Sequence, residues 1–418
     1  MLSAEEKLIQ IISKEEEEVI HLCQELVRRP SEDPPGDTRE IADYINNYFK
    51  SSGVDCEIIS PHHEKPNVVA TIKGSRPGPH VVFNGHMDTF PVGDPKGWNY
   101  DPFGGDIVDG LLYGRGSSDM KGGLASCIYS AVLLNQIKDQ IEGTISVTCV
   151  SDEEVFGPWG SKYLLEKLPI LHGDALINGE PSSLDNIRIG EKGQYWFKFI
   201  SKSQGGHGAY SALKISAITE MIELINDLKN LPEELNNLPE IYRLIMEEAR
   251  VNYDSLLCHG ATDAALSASI NVGVINGGLS VNMVPEKCVA EMDFRLPPGI
   301  PNGILNNWIE EIVSRHPYCS VEEIDSQDAQ ITDPNHMLVK IAKNVAEETL
   351  GRRIYKTFSL GGTEARLWRK SGVPAITYGP NHHNMGSPNE HIVADELKKV
   401  LRVHSLTALR YINQKNNH

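Results

Sequence analysis

The pattern of apolar and polar residues changes twice along the chain. Up to about residue 181, short apolar runs bounded by turn residues alternate with segments whose apolar residues recur at helical spacing. These patterns predict strands and helices in turn. Their alternation is typical of a mixed or parallel sheet covered by helices. The helices predicted in this part are an amphipathic N-terminal helix and segments 38–53, 124–134 and 160–168.

From about residue 193 the pattern is that of an α+β unit. A strand, a long helix, two further strands and a second helix follow one another, with extra helical and loop material at 231–262. This order predicts helices on one face of an antiparallel sheet. From about residue 329 the first pattern resumes, with a helix at 335–350, the strand VPAITYGP and a final helix from 394.

These changes predict an α/β fold made of two domains. A chain of 418 residues exceeds what one hydrophobic core usually serves. We expect a catalytic α/β domain with a mixed central sheet, formed by residues 1–193 and 329–418. An α+β domain of residues 194–328 would be inserted into it.

Composition excludes some partners. The net charge is −18 and there is no basic stripe, which argues against nucleic acid. No run approaches the roughly 18 apolar residues of a membrane span, and the N-terminus lacks the pattern of a signal peptide. The seven cysteines are an odd number without CxxC pairing. We therefore expect reduced thiols and a cytoplasmic protein.

Candidate metal ligands stand where apolar runs end. His86 follows VVFNG, the Glu153–Glu154 pair follows ISVTCVSD, and Glu180 follows ALING. In an open α/β sheet, ligands bind outside the carboxyl ends of the strands. Imidazole with several carboxylates, and no thiolate, suits zinc or a similar divalent ion.

Neighbouring acids extend this chemistry. Asp88 could accept a hydrogen bond from the second nitrogen of His86 and fix its tautomer, although a lone histidine at a strand end is more often a surface residue. Asp119, in the glycine-rich GRGSSD loop, could bridge two ions. Adjacent Glu153 and Glu154 repel each other unless a cation compensates. One of them can ligate metal while the other acts as general base.

The motifs GHMDTFPVG, GRGSSDMKGG, SDEE, NGEPSS, GGHGA and VNMVPE resemble one zinc hydrolase family. Its members include acetylornithine deacetylase, succinyl-diaminopimelate desuccinylase, aminoacylase and glutamate carboxypeptidase. The resemblance spans nearly the whole chain and implies a metal-binding α/β domain interrupted by an α+β lid. It also implies two metal ions, zinc above all, with cobalt or manganese as substitutes. The implied roles are His86 and Glu180 as terminal ligands, Asp119 as bridge, Glu154 as ligand, Glu153 as base, and a cis Asp119–Met120 peptide.

Residues of the inserted domain also match the family. His207 in GGHGA resembles the histidine that stabilises the oxyanion, in dimers from the neighbouring subunit. Asn282 and Arg295 resemble the substrate-binding pair, and an arginine fork suits a substrate carboxylate. A salt bridge within the lid is the other interpretation of Arg295. In the catalytic domain, Gly361 and Gly362 match the turn that approaches the substrate.

The last ligand departs from the family pattern. Family members carry a metal-binding histidine four residues before a late glutamate, here Glu390, and that position holds Gly386. His383, directly after the strand AITYGP, is our predicted replacement. His382 and His391 are the alternatives.

The sequence therefore predicts a metal-dependent hydrolase of N-acyl amino acids or short peptides with a free carboxylate, forming a homodimer through the lid. Glu180, rather than an aspartate, favours a deacylase or carboxypeptidase in this family. The alternatives are an aminopeptidase or dipeptidase on the same scaffold and an inactive metal-binding relative.

Overall fold

A computed structural model describes residues 2–415, which form two compact units. The first comprises the chain up to Ile189, Thr332–Thr357 and the chain from Thr363. The second comprises Gly190–Ile331 and Phe358–Gly362. The short segment Phe358–Gly362, with Gly361 and Gly362, thus belongs to the second unit and not to the catalytic domain, where the sequence analysis put it.

The first unit contains the elements predicted to alternate. Its helices are α1 (Ala4–Glu15), α2 (Glu18–Val27), α3 (Arg39–Ser51), α4 (Gly122–Asn135), α5 (Ser161–Lys167), α10 (Met337–Leu350), α11 (Ala365–Lys370) and α12 (Glu396–Lys415). Its strands are β1 (Asp55–His62), β2 (Lys65–Lys73), β3 (Arg76–His86), β4 (Ile107–Val108), β5 (Leu111–Tyr113), β6 (Glu142–Val150), β7 (Ala175–Asn178), β8 (Asn186–Glu191), β16 (Tyr355–Ser359), β17 (Ala375–Thr377) and β18 (His391–Val393). β8 and β16 each run into the second unit.

The predicted single N-terminal helix is two helices. α1 ends at Glu15 and α2 begins at Glu18, so the break falls in a run of four glutamates, Glu15–Glu18. Like charges three residues apart on a helix repel, and α2 carries the more buried apolar face of the two helices.

The central sheet of the first unit is mixed, as predicted. Its strands lie in the order β1-β2-β6-β3-β7-β17-β8. β6, β3, β7 and β17 run parallel, and β1 and β2 are antiparallel to their neighbours. α4 is buried from Gly122 to Leu134 and contacts α2 and α12. A Cβ on Gly123 would lie 1.7 Å from the Gly179 carbonyl oxygen, so glycine is required for this close approach of α4 to the end of β7.

The second unit is an antiparallel sheet with helices. Its elements are β9 (Gly193–Lys202), β10 (Gly206–His207), α6 (Ala217–Leu228), α7 (Glu240–Leu256), α8 (Ala261–Leu266), β11 (Ser269–Gly277), β12 (Met283–Val284), β13 (Lys287–Leu296), α9 (Asn302–Ser314), β14 (Cys319–Gln327) and β15 (Gln330–Ile331). The main sheet has the order β11-β13-β9-β14, so β11 and β14 are its edges. α6 and α9 pack against this sheet. The predicted extra material at 231–262 contains α7.

Within residues 2–415, no helix combines the length and the apolar character that crossing a membrane requires.

Candidate metal centre

The carboxyl ends of three parallel strands meet at one edge of the central sheet. His86 is the last residue of β3, and β6 and β7 lie on either side of it. Beyond these two strands follow the segments with Glu153–Glu154 and Glu180. Parallel strands place their carboxyl ends together, so the sheet itself gathers these side chains.

Three side chains form a compact cluster there. The ligand atoms of His86, Asp119 and Glu180 lie within 4.8 Å of one another. His86 Nε2 is 3.2 Å from Asp119 Oδ1 and 3.4 Å from Glu180 Oε1. Burial opposes the charged form of His86, but the hydrogen bonds to Asp119 and Glu180 raise its pKa well above its usual value. One imidazole between two carboxylates is a donor set that fits a zinc-like cation.

The tautomer of His86 is fixed by a main-chain group. Its Nδ1 lies 2.9 Å from the Asp88 carbonyl oxygen and 3.6 Å from Asp88 Oδ1. The carboxylate of Asp88, predicted to make this bond, instead accepts from the Glu154 backbone N–H at 3.0 Å. Nδ1 therefore donates to the carbonyl, and Nε2 faces the cluster, where a bound cation would take the place of its proton.

Glu153 and Glu154 lie in a strongly acidic surrounding. Burial, with Glu180 and Glu364 nearby, raises the pKa of Glu153 well above its usual value. Burial and the charge of Asp119 likewise raise the pKa of Glu154. Buried carboxylates of this density need a cation to be ionised together. The protein thus has both the donor atoms for metal and an excess of negative charge that a metal would neutralise.

The Asp119 loop is held from its backbone. Asp119 lies in the kinked segment Ser117–Lys121 directly before α4, and Asp119 and Met120 there have non-helical backbone angles. The backbone N–H groups of Ser118 and Asp119 donate to Glu390 Oε1 at 3.0 and 3.1 Å. The second oxygen of Glu390 forms a buried ion pair with Arg115. The Asp119–Met120 peptide is cis.

A polar ladder beneath the cluster was missed by the sequence analysis. Asn84 lies opposite Thr148 on one side and Asn178 on the other, and all three side chains are buried. Asn178 Nδ2 donates to Asn84 Oδ1 at 2.8 Å, and Asn178 Oδ1 accepts from the Glu180 backbone N–H at 3.2 Å. The ladder therefore fixes the backbone of a cluster residue. The signal in the sequence is an asparagine inside each apolar run, two residues before His86 and Glu180.

Asn84 also contacts a buried acid. Its Nδ2 lies 3.3 Å from Glu364 Oε2 and 3.2 Å from Ser161 Oγ. Burial raises the pKa of Glu364 to about 7. Nothing local in SLGGTEAR separates Glu364 from a surface glutamate, so no sequence pattern indicates it.

The three candidate histidines have different surroundings. The ring of His383 stacks on that of His391, with centroids 4.9 Å apart and planes 5° apart. His391 Nδ1 bonds to the Asn389 carbonyl oxygen at 2.8 Å. Burial lowers the pKa of His382, whereas the charge of Asp119 acts to raise it. Among the described residues, the cluster itself includes none of the three.

In the second unit, His207 ends β10 and Asn282 directly precedes β12. β10 and β12 pair, and Gly208 N donates to the Asn282 carbonyl oxygen at 2.8 Å. His207 is exposed, and its Nδ1 accepts from the Ala209 backbone N–H at 3.1 Å. Since Nδ1 is an acceptor, Nε2 of the neutral ring carries the proton and can donate it to an oxyanion.

Arg295 and the glycine turn also lie in this unit. Arg295 Nε lies 2.9 Å from both carboxylate oxygens of Asp293, which is the salt bridge considered as its other interpretation. The turn at Gly361 and Gly362 is anchored by Gly361 N, which donates to Ser359 Oγ at 3.2 Å.

A mixed sheet whose strand ends gather an imidazole and several buried carboxylates defines a metal-dependent hydrolase. The sequence pattern of Peptidase family M20/M25/M40 matches residues 82–410, and the chain belongs to this family. It is thus a metal-dependent amidohydrolase, as the sequence predicts.

Similar proteins agree in sequence and in fold. The chain is 28% identical to succinyl-diaminopimelate desuccinylase of Wolbachia pipientis wMel over 383 residues, 90% of this chain and 89% of the relative. The M20 family metallo-carboxypeptidase Sso-CP2 from Sulfolobus solfataricus has a similar fold, with TM-score 0.77, 19% identity, and coverage of 95% of this chain and 99% of that one. The Bacillus subtilis YXEP protein, a dinuclear metal binding peptidase, gives TM-score 0.67 at 18% identity, covering 95% and 98%.

Proposed function

We propose that this protein hydrolyses the amide bond of an N-acyl amino acid or short peptide that carries a free carboxylate, with two divalent ions, most suitably zinc. The observation that carries the proposal is the His86–Asp119–Glu180 cluster with Glu153 and Glu154 beside it. His86 and Glu180 would be terminal ligands, Asp119 the bridge and Glu154 a further ligand. When bound, the ions would supply an acidified water and polarise the scissile carbonyl.

The other residues move or hold protons and charge. Glu153 takes the proton of the attacking water and delivers it to the leaving amine. Asp88 accepts from the Glu154 N–H and so holds the segment of the base. His207 donates from Nε2 to the oxyanion.

A substrate carboxylate would bind the second unit. Arg295 uses Nε for Asp293, which leaves its two Nη groups for a bidentate contact. Asn282 and the backbone at Gly361 and Gly362 would complete this contact. Glu180 supports carboxylate recognition over recognition of a free amine, and the similarity to a desuccinylase supports an acylated substrate.

A substrate panel tests the proposal. Zinc- or cobalt-loaded protein is assayed on acetyl- and succinyl-amino acids, on their amides without a free carboxylate, and on free dipeptides. We expect turnover of the acylated acids and an at least tenfold lower kcat/KM with the amides. The amides cannot form the proposed contact between the carboxylate and Arg295, and a loss of about 1.4 kcal/mol of binding is tenfold. Preference for free dipeptides would indicate a peptidase. No turnover of any compound would indicate an inactive relative.

The ligand that replaces the family histidine needs its own test. We propose His383, whose ring would have to leave its stack with His391. His391 and His382 are the competing candidates; burial lowers the pKa of His382, and the charge of Asp119 acts against that shift. Alanine variants of His382, His383 and His391 are dialysed against limiting zinc, and bound metal is counted. The proposal requires that His383→Ala alone lose about one ion per chain.

We also propose a cytoplasmic homodimer that associates through the second unit. Strand β11 is an edge of its sheet, and Val274 and Ile275 on β11 and Ile222 on α6 are exposed apolar residues. An apolar sheet edge is a ready surface for pairing with another copy. Light scattering should give twice the chain mass of 46.3 kDa, and Ile275→Lys should give the monomer. A monomeric wild type would contradict the dimer.

A further inference from the structure

The segment that carries Glu153 is folded around the side chain of the residue before it. Asp152 has a positive φ of 77°, and its side chain is 1% exposed. Its Oδ2 accepts from the Trp159 backbone N–H at 3.0 Å. A Cβ on Gly157 would lie 1.7 Å from that oxygen. The turn from Ser151 to Gly160 therefore depends on where the Asp152 carboxylate is held.

One ammonium group holds that carboxylate. Lys65 Nζ donates to Asp152 Oδ1 and, at 2.6 Å, to Asp33 Oδ2. The side chain of Lys65 is 14% exposed and that of Asp33 is 4% exposed, so solvent screens these contacts little. A single ammonium group thus bonds to two buried acids and offsets the charge of one of them. Without it, the two carboxylates would face each other uncompensated.

The residues that follow Lys65 contact the same turn. Ser151 Oγ donates to the Pro66 carbonyl oxygen at 2.6 Å, and Ser151 N donates to Asn67 Oδ1 at 3.1 Å. Asn67 Nδ2 donates to the Trp159 carbonyl oxygen at 2.8 Å. The start of β2 therefore binds both ends of the turn that bears Glu153.

Asp33 connects the same lysine to the segment after His86. Its backbone N–H donates to the Thr89 carbonyl oxygen at 2.8 Å, and Thr89 N donates to the Ser31 carbonyl oxygen at 3.0 Å. The Lys65 ammonium thus lies between the chain that follows His86 and the chain that leads into Glu153.

We propose that Lys65 is a positioning residue for hydrolysis: clamped between Asp33 and Asp152, it fixes the turn that presents Glu153 to the metal centre. This inference rests on the proposed role of Glu153 as base. The ammonium group of Lys65 bonds to Asp33 and Asp152, neither of which is a proposed ligand.

Glu154, the proposed ligand in the same turn, is held by other contacts, because its backbone N–H donates to Asp88 Oδ2 and its Oε1 accepts from the Phe90 backbone N–H. Loss of Lys65 should therefore displace the base more than it changes metal binding or substrate affinity.

The test compares Lys65→Met with Lys398→Met. Lys398, on α12, serves as a control for the loss of a lysine that binds two acids, because its partners Glu17 and Asp395 are both exposed and lie outside the turn. For Lys65→Met we expect kcat to fall at least tenfold, since a small misplacement of a catalytic group can cost about a hundredfold. KM should stay within about threefold and bound zinc should be unchanged. Lys65→Arg should recover part of kcat, because it restores the charge.

A second measurement does not depend on activity. Hydrogen exchange of the metal-loaded protein should show faster exchange for residues 151–160 in Lys65→Met, and unchanged exchange there in Lys398→Met. If the wild type hydrolyses nothing, the proposed function fails, and exchange alone decides on the clamp. Three outcomes would each overturn the inference. They are a kcat within twofold of wild type, unchanged exchange at 151–160, and a fall in kcat that is matched by the loss of bound metal and of global stability.

Discussion

Arg115 and Glu390 form a buried ion pair although they lie 275 residues apart in the chain. Both side chains are at most 2% exposed. Arg115 also donates to the carbonyl oxygens of Pro91 and Gly386, both at 3.2 Å. Glu390 in turn accepts from the backbone of Ser118 and Asp119. The position of Asp119, the proposed bridge, thus depends on a pair that lies outside the His86–Asp119–Glu180 cluster.

Breaking this pair should weaken metal binding and the fold. Glu390→Ala removes the acceptor of two N–H groups and leaves the Arg115 charge buried. Loss of such a supporting partner typically costs about 10- to 100-fold in metal affinity, and an uncompensated buried charge costs about 3–5 kcal/mol. Zinc titration and urea unfolding measure the two effects. Glu142 begins β6, at the end of the strand away from the cluster, and forms a surface ion pair with Arg76. Glu142→Gln is the control and should change neither zinc affinity nor the free energy of unfolding.

Glu153→Gln should abolish turnover with metal content near that of wild type. The amide keeps the shape of the side chain but cannot accept the proton of the attacking water. General base catalysis contributes roughly 10²–10⁴-fold, so kcat should fall by that range. Glu154→Gln is the informative comparison, because loss of a ligand should lower bound metal as well. Glu153→Gln protein that retains activity within tenfold would show that another group is the base.

His207→Ala should lower kcat about a hundredfold or more, the usual cost of one oxyanion donor. If His207 acts across a dimer, inactive His207→Ala and Glu153→Gln proteins should complement each other when their subunits are mixed. About a quarter of the sites would then be complete, counting random exchange in a twofold dimer. Mixtures that stay inactive after proven subunit exchange would place His207 in the site of its own chain.

His404 should make stability depend on pH. It is fully buried, its Nε2 lies 2.7 Å from the Tyr378 carbonyl oxygen, and burial lowers its pKa from 6.5 to about 4. Because the unfolded chain binds the proton first, the neutral ring favours the folded state above pH 6.5, and this contribution is lost as pH falls toward 4. At about 1.4 kcal/mol per pKa unit, the loss approaches ~3 kcal/mol.

The measurement is the free energy of unfolding in urea of the wild type and of His404→Gln at each pH. The difference in unfolding free energy between the two proteins should shrink between pH 6.5 and 4, because only the wild type has a buried imidazole that takes up a proton on unfolding. The variant His21→Gln, at an exposed residue of α2, serves as control. A difference that does not vary with pH would contradict the assignment.

The fold class could be predicted from the sequence because alternating strands and helices leave a periodic pattern of apolar residues. The sequence also placed His86 and Glu180 at one edge of the sheet, because neighbouring parallel strands end together. The structure brings both together with Asp119. The Asn84–Asn178 pair could not be predicted from the sequence, because it depends on the register between β3 and β7.

Contacts between distant irregular segments were also beyond reach. Lys65 begins β2 without any sequence pattern that links it to Asp152, and the pairing appears only once β2 lies beside β6. The hydrogen bond of His86 to the Asp88 carbonyl, and not to its carboxylate, follows from local backbone angles that residue spacing does not determine. The sequence also could not choose among His382, His383 and His391, because the first two lie in an irregular loop and the third begins the short strand β18.

The long separation of Arg115 from Glu390 affects how the protein matures. On the ribosome, domains generally fold as the chain emerges, the N-terminal part first. The loop with Asp119 is made early, but its anchor is translated only after the whole of Gly190–Ile331. A nascent or prematurely terminated polypeptide therefore lacks the group that secures this loop. The candidate metal centre can therefore be completed only after the whole chain has been translated, and truncated chains should bind zinc weakly.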